Sequence, residues 1–202
     1  AAQWFGKEPV ESIGQFNADL VSFCAHKLYG PKGIGALYIK SGVVLEPLIH
    51  GGGHENERRA GTENLAAIAG LAEVMDRFVQ IPVFPRERLM VLTEGFRTAL
   101  MKLPGVSVVT PISQRLSNTL TITIPKCDSA TVLAGLDLEG VCVSSGSACT
   151  AGSVQPSHVL EAMGIKAGAV VRFSLGREST LEETERAGKA LEKVINRIIE
   201  VQ

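Results

Sequence analysis

Apolar positions along the chain follow two rhythms. Leu20 to Ala25 and Ile34 to Ile39 are short apolar runs that predict strands, and Gly30, Pro31 and Gly33 between them require a tight turn. Asn118 to Ile124 alternates strictly, with Leu120, Ile122 and Ile124 on one face and threonines on the other, as in a strand with one covered face. Val106 to Val109 and Val170 to Leu175 predict two more strands, the second interrupted by Arg172, which is costly to bury unpaired. Helical spacing links Leu65, Ile68, Ala69, Ala72, Met75 and Val79 behind Thr62 as N-cap, and again Leu89, Leu92, Phe96 and Leu100 up to Pro104-Gly105. Ser129 is placed to cap a helix over Ala130 to Leu138 that ends at Gly140, and Pro156 and Gly164 bracket a short helix over Ser157 to Met163. Thr180 and Glu183 form a capping-box pattern ahead of a terminal helix whose apolar face is Ala187, Leu191, Val194, Ile195 and Ile198. Ile81-Pro-Val-Phe-Pro85 breaks the helical pattern and sets a boundary, dividing the chain into residues 1–80 and 81–202.

Charge narrows the partners. With 20 basic and 21 acidic side chains the formal charge is -1, so no overall field attracts nucleic acid or an anionic membrane, and aromatic residues make up only 5% of the chain. No apolar run approaches membrane-spanning length, and the first ten residues lack the basic start and apolar run of a signal peptide. Cys24, Cys127, Cys142 and Cys149 have neither CxxC spacing nor that of a small secreted framework, which predicts reduced thiols in the cytoplasm.

Three stretches carry candidate chemistry. Lys27 follows an apolar strand, where partial burial leaves an amine nucleophilic enough for Schiff-base chemistry; an ordinary surface lysine is the other reading. The glycines at 51–53, the Arg58-Arg59 pair and a helix start near Thr62 make a reasonable anion site, although glycine-rich loops are common. Ser144 to Ser153 is a loop of small polar residues around one soft nucleophile, Cys149, which exposure and reach would fit for transfer chemistry; a loop cysteine without a role is the alternative. Cys24 and Cys142 lie in apolar strands and read as packing residues, Cys127 is an undecided loop thiol, and the histidines show no metal spacing.

Four blocks together, AHKLYGPKGIGALYI, RRAGTEN, SSGSACTAGS and VVRFSLG, resemble the cysteine desulfurases, fold-type I enzymes that use pyridoxal 5'-phosphate, in family order and at about family spacing. The resemblance implies that Lys27 carries the cofactor, that His26 helps hold its phosphate, and that Gln3 is aimed at its phenolic oxygen. Cys24 departs from the pattern, standing where the family usually places a phosphate-contacting serine; a thiol donates a weaker hydrogen bond. Thr62 is implied to reach the phosphate of a neighbouring subunit, hence a homodimer. Cys149 is implied to be the sulfur-accepting nucleophile, and Arg172 to hold the substrate carboxylate through its planar donors.

On that resemblance the chain is expected to be the C-terminal half only of such an enzyme: an incomplete α/β large domain of the fold-type I transferases (1–80) followed by an α+β small C-terminal domain carrying the cysteine loop (81–202). The implied reaction converts L-cysteine to L-alanine and a persulfide on Cys149, for an iron-sulfur scaffold or another sulfur acceptor. The family's upstream aspartate, ring-stacking aromatic group and glycine-threonine phosphate loop find no match before Ala1, so these residues alone are expected not to run the full reaction. A selenocysteine lyase or related enzyme, and a non-catalytic folding or interaction module, are the competing readings.

Overall fold

A computed structural model describes residues 2–111, 113, 115–145, 158–165 and 168–201. The chain forms two compact units, Ala1–Pro85 and Arg86–Gln202.

In the first unit, β1 (Leu20–Cys24) pairs antiparallel with β2 (Gly35–Ile39), from Leu20 opposite Ile39 to Cys24 opposite Gly35. The two strands are joined through a 3-10 turn over Ala25–Leu28 and the predicted glycine-proline turn. Of β1 only Val21 is buried; Leu20 is 44% exposed, so the strand expected to be buried is largely an open ribbon. The buried residues are instead Ala25 and Leu28 in the turn, which pack with Phe5, Val10, Val21, Leu71 and Val74. A one-turn segment, α1 (His54–Glu57), has left-handed backbone at Glu55 and Asn56. It is followed by α2 (Leu65–Phe78), which turns Leu71 and Val74 inward. Its N-cap is Asn64, whose side chain accepts from the Ala67 amide at 3.1 Å, and not Thr62. Asparagine caps at least as well as threonine and here sits at the residue directly before the first helical turn.

The second unit is a three-stranded antiparallel sheet, ordered β3 (Ser107–Val108), β4 (Thr119–Ile124), β5 (Ala169–Ser174). Helices α3 (Arg86–Leu100), α4 (Ser129–Leu138) and α6 (Leu181–Val201) pack with it, and α5 (His158–Ala162) is a short connecting helix. The alternation read from the sequence is the pleat itself: Leu120, Ile122 and Ile124 are buried and meet Phe96, Leu136, Leu191 and Val194 in one core. Phe96 and Phe173 meet edge to face at 5.0 Å. The capping box of α6 is formed, with the Thr180 amide donating to Glu183 Oε2 at 2.9 Å and the Glu183 amide to Thr180 Oγ1 at 3.2 Å. Helix α4 is capped by Asp128, which accepts from the Thr131 amide at 2.8 Å, in place of Ser129. Ser129 Oγ accepts from the Val170 amide at 2.9 Å and so ties α4 to β5, the strand that carries Arg172.

Candidate active site

Lys27 lies in the 3-10 turn that ends β1. The turn closes where Tyr29 adopts left-handed backbone and the Gly30 amide donates to the Ala25 carbonyl at 2.9 Å. A side chain at Gly30 would meet Ala25 Cβ at 2.8 Å and Val74 Cγ2 at 2.9 Å, so glycine lets α2 approach the turn. Burial of Ala25 and Leu28 fixes two corners of this turn, while Lys27 between them is half-buried and His26 is exposed. Cys24 is also half-buried, with Sγ 3.9 Å from His26 Nε2. An amine, an imidazole and a thiol are thus brought onto one turn of backbone.

Sequence reasoning missed Lys7. Only 5% exposed, it donates from Nζ to the Lys27 carbonyl at 3.2 Å and lies 4.8 Å over the Phe84 ring. Burial, with the neighbouring Lys27 charge adding to it and Cys24 opposing, lowers its pKa to about 8. Nothing in the local pattern announces a buried cation; only its place between Phe5 and Val10, both buried, could have raised the question.

Gln3 is exposed in the N-terminal turn, and Thr62 is exposed in the loop before α2. The loop is pinned at one point, where the Ala60 amide donates to the Ile49 carbonyl at 3.2 Å. These two are described in the same unit as Lys27, without a contact that ties either of them to its turn.

Arg172 belongs to the second unit. It stands opposite Thr121 in the β4–β5 register, and on its other edge it forms a two-way bridge with Ser144: the Ser144 amide donates to the Arg172 carbonyl at 3.2 Å, and the Arg172 amide to the Ser144 carbonyl at 2.7 Å. Arg172 Nε is buried and has no hydrogen-bond partner among the described residues, an expensive condition for a guanidinium unless an anion completes it. Ser144 is the first residue of the SSGSACTAGS stretch, so the start of that stretch is bonded directly to the backbone of the arginine. Cys149 itself lies outside the described residues. Cys142 is exposed, and Cys24 and Cys127 are half-buried; all three are free thiols, and burial with the nearby Asp128 raises Cys127. Among the described residues no cluster of His, Cys, Asp and Glu is placed to hold a metal ion, and no helix is long and apolar enough to cross a membrane.

The donor set suits pyridoxal 5'-phosphate: an accessible amine at Lys27, and an exposed imidazole beside a thiol, which can donate to phosphate oxygens. Thr62 adds an exposed hydroxyl of the kind that phosphate accepts from.

The aminotransferase class-V model matches residues 1–187. A cysteine desulfurase IscS of Dictyoglomus turgidum is 40% identical over 202 residues, covering 98% of this chain and 51% of its own length. A cysteine desulfurase of Rhodobacter capsulatus is 36% identical over 198 residues, covering 96% and 51%. Among solved structures, a NifS-like protein from Rickettsia africae superposes with a TM-score of 0.85 at 34% identity, over 96% of this chain and 52% of that one. SspA in complex with cysteine gives 0.64 at 34% identity over 89% and 50%. The chain spans about half the length of the curated relatives it matches.

Two expectations are corrected by the family match. The likeness is not to a C-terminal half only, because the family model is matched from residue 1 to residue 187 and so takes in the family's core region. Motif order shows which blocks are present but not what share of that core they make. Nor is the chain an incomplete large domain followed by a separate small C-terminal domain: the match runs unbroken across Pro85 and Arg86, while the α/β architecture of the fold-type I transferases stands. The prolines at 82 and 85 end one helix and precede the next, which punctuates elements without ending the family core. The match of the family model over residues 1–187 leads to one assignment: the chain belongs to the class-V aminotransferase family.

Proposed function

We propose that the protein is a pyridoxal-phosphate-dependent L-cysteine desulfurase. The observation that carries this reading is the Arg172–Ser144 bridge: the arginine, whose buried Nε has no hydrogen-bond partner among the described residues, is tied by two backbone hydrogen bonds to the first residue of the SSGSACTAGS stretch. In this reading Arg172 receives the substrate carboxylate and Cys149, five residues beyond Ser144 in sequence, receives its sulfur. The relatives named as cysteine desulfurases, and the SspA structure holding cysteine, support the choice of substrate.

In this reading Lys27 holds the cofactor through its amine, with His26 and Cys24 donating to the phosphate, Thr62 reaching the phosphate of a second subunit and Gln3 near the ring oxygen. The cofactor, when bound, supplies an electron sink for bonds breaking at the substrate's carbon atoms. Arg172 orients the L-cysteine carboxylate through paired N–H donors. Cys149 attacks the substrate sulfur: the C–S bond breaks, an S–S bond forms, and the thiol's proton is accounted for by the new C–H bond of L-alanine. The cofactor side of this chemistry falls in residues 1–80 and the thiol loop in residues 81–202. The persulfide would pass to an iron-sulfur scaffold or another sulfur-acceptor protein, from a homodimer. A cytoplasmic setting accords with the free thiols at Cys24, Cys127 and Cys142.

Product analysis tests the proposal. With pyridoxal phosphate and a thiol reductant, the full-length protein is expected to convert L-cysteine to alanine and sulfide in equal amounts. Turnover of L-selenocysteine with none of L-cysteine would overturn the assignment in favour of a lyase for the selenium analogue.

A further inference from the structure

The segment before the β1–β2 ribbon grips the Lys27 turn at two adjacent residues. Gly6 has left-handed backbone (φ 74°), and a side chain there would meet Leu28 Cβ at 2.6 Å, so its main chain lies directly against the turn. Its carbonyl accepts from the Phe84 amide at 3.0 Å, which brings the Phe84 ring beneath Lys7 Nζ. Lys7 then reaches, from a 5% exposed position, to the carbonyl of Lys27. Tyr29, two residues beyond Lys27, packs on the same Phe84 ring with 5.3 Å between centroids.

We propose that Lys7 is a positioning residue for Lys27: its buried ammonium holds the Lys27 carbonyl and fixes the turn from which the cofactor amine is presented. This rests on the reading of Lys27 as the cofactor lysine. A lysine buried over a ring and against a second lysine is a poor choice for packing alone, because an apolar side chain of the same length would fill the space without desolvating a charge. What the ammonium adds is a charge-assisted donor aimed at one carbonyl. Of the titratable groups around it, Lys27 disfavours its charge and Cys24 favours it.

The test compares the protein with Lys7→Met, which keeps length and bulk, and Lys7→Arg, which keeps a cationic donor. Amide hydrogen exchange is followed over residues 25–30 without cofactor, and the borohydride-fixed pyridoxal phosphate on Lys27 is quantified by peptide mass at limiting cofactor. Lys7→Met should raise exchange at the Gly30 amide and lower the Lys27 adduct, each by about tenfold, the loss expected for one charge-assisted hydrogen bond, with β1–β2 protection retained. Lys7→Arg should restore both to within about twofold. Unchanged exchange and adduct in Lys7→Met, with the unsubstituted protein labelled at Lys27, would overturn the role of Lys7 alone. Labelling of the unsubstituted protein at another lysine would overturn the reading of Lys27 and this proposal with it.

Discussion

Burying Lys7 has a cost that pH can reveal. Its pKa falls from 10.5 to about 8, chiefly through burial and secondarily through the Lys27 charge. Between those two values the unfolded chain binds more protons than the folded one, so stability rises with pH across that window. At about 1.4 kcal/mol per pH unit the full rise is about 3 kcal/mol, and residual structure in the unfolded chain makes this a ceiling. The side chain is 5% exposed, so solvent screening removes little of it. Lys7→Met has no proton to lose at this position and should lack the rise. The assay is urea unfolding at half-unit steps from pH 7 to 10.5, followed by fluorescence of Trp4, the chain's one tryptophan, which stands edge-on to Phe16 at 6.2 Å in the same unit. Subtracting the Lys7→Met curve removes the titration of tyrosines and cysteines common to both proteins. The difference should climb steadily above pH 8 toward about 3 kcal/mol; a flat difference would show that Lys7 keeps its ordinary protonation behaviour in the folded chain and refute the argument.

Gly30→Ala should destabilise the first unit by about 1–2 kcal/mol in the same urea assay, because the added methyl meets Ala25 and Val74 below 3.0 Å, reversing the small gain that such a change gives at open positions. Arg172→Lys should raise KM for L-cysteine roughly tenfold to a hundredfold while altering kcat less, measured by alanine formation, since an ammonium cannot reproduce the paired guanidinium donors. Leu191→Ala, at a fully buried position in the second core, should cost about 2–5 kcal/mol of stability by circular dichroism, and Val159→Ala, at a half-exposed one, no more than about 0.5 kcal/mol.

What the sequence disclosed was periodicity and punctuation. The alternation in Thr119–Ile124 and the apolar face of α6 are direct consequences of burial on one side, and both elements form where the pattern puts them. Caps were harder: Thr62 and Ser129 are sound capping residues by type, but Asn64 and Asp128, each one or two positions away, have the geometry. Ser129 was spent on a bond to β5, which no local pattern can show. At the site, Lys27 and Arg172 are singled out by the resemblance of the AHKLYGPKGIGALYI and VVRFSLG blocks to a family; an amine after a strand and an arginine within one read equally well as a surface lysine and an internal ion-pair partner. Lys7 could not be singled out, since its neighbours in space, Lys27 and Phe84, are 20 and 77 positions along the chain. The bridge from Ser144 to Arg172 is likewise a long-range fact of sheet register, and it is what joins two motifs that the sequence shows only as separate blocks.

Sulfur transfer to Cys149 tests the central claim most directly. The full-length protein loaded with pyridoxal phosphate is given one equivalent of L-cysteine without reductant, quenched with an alkylating reagent and digested. The account predicts that the peptide containing Cys149 gains the mass of one sulfur atom, in proportion to the alanine released, and that Cys149→Ala binds cofactor but forms no persulfide. Alanine formation at the normal rate with the extra sulfur on Cys24, Cys127 or Cys142, or undiminished persulfide in Cys149→Ala, would contradict it.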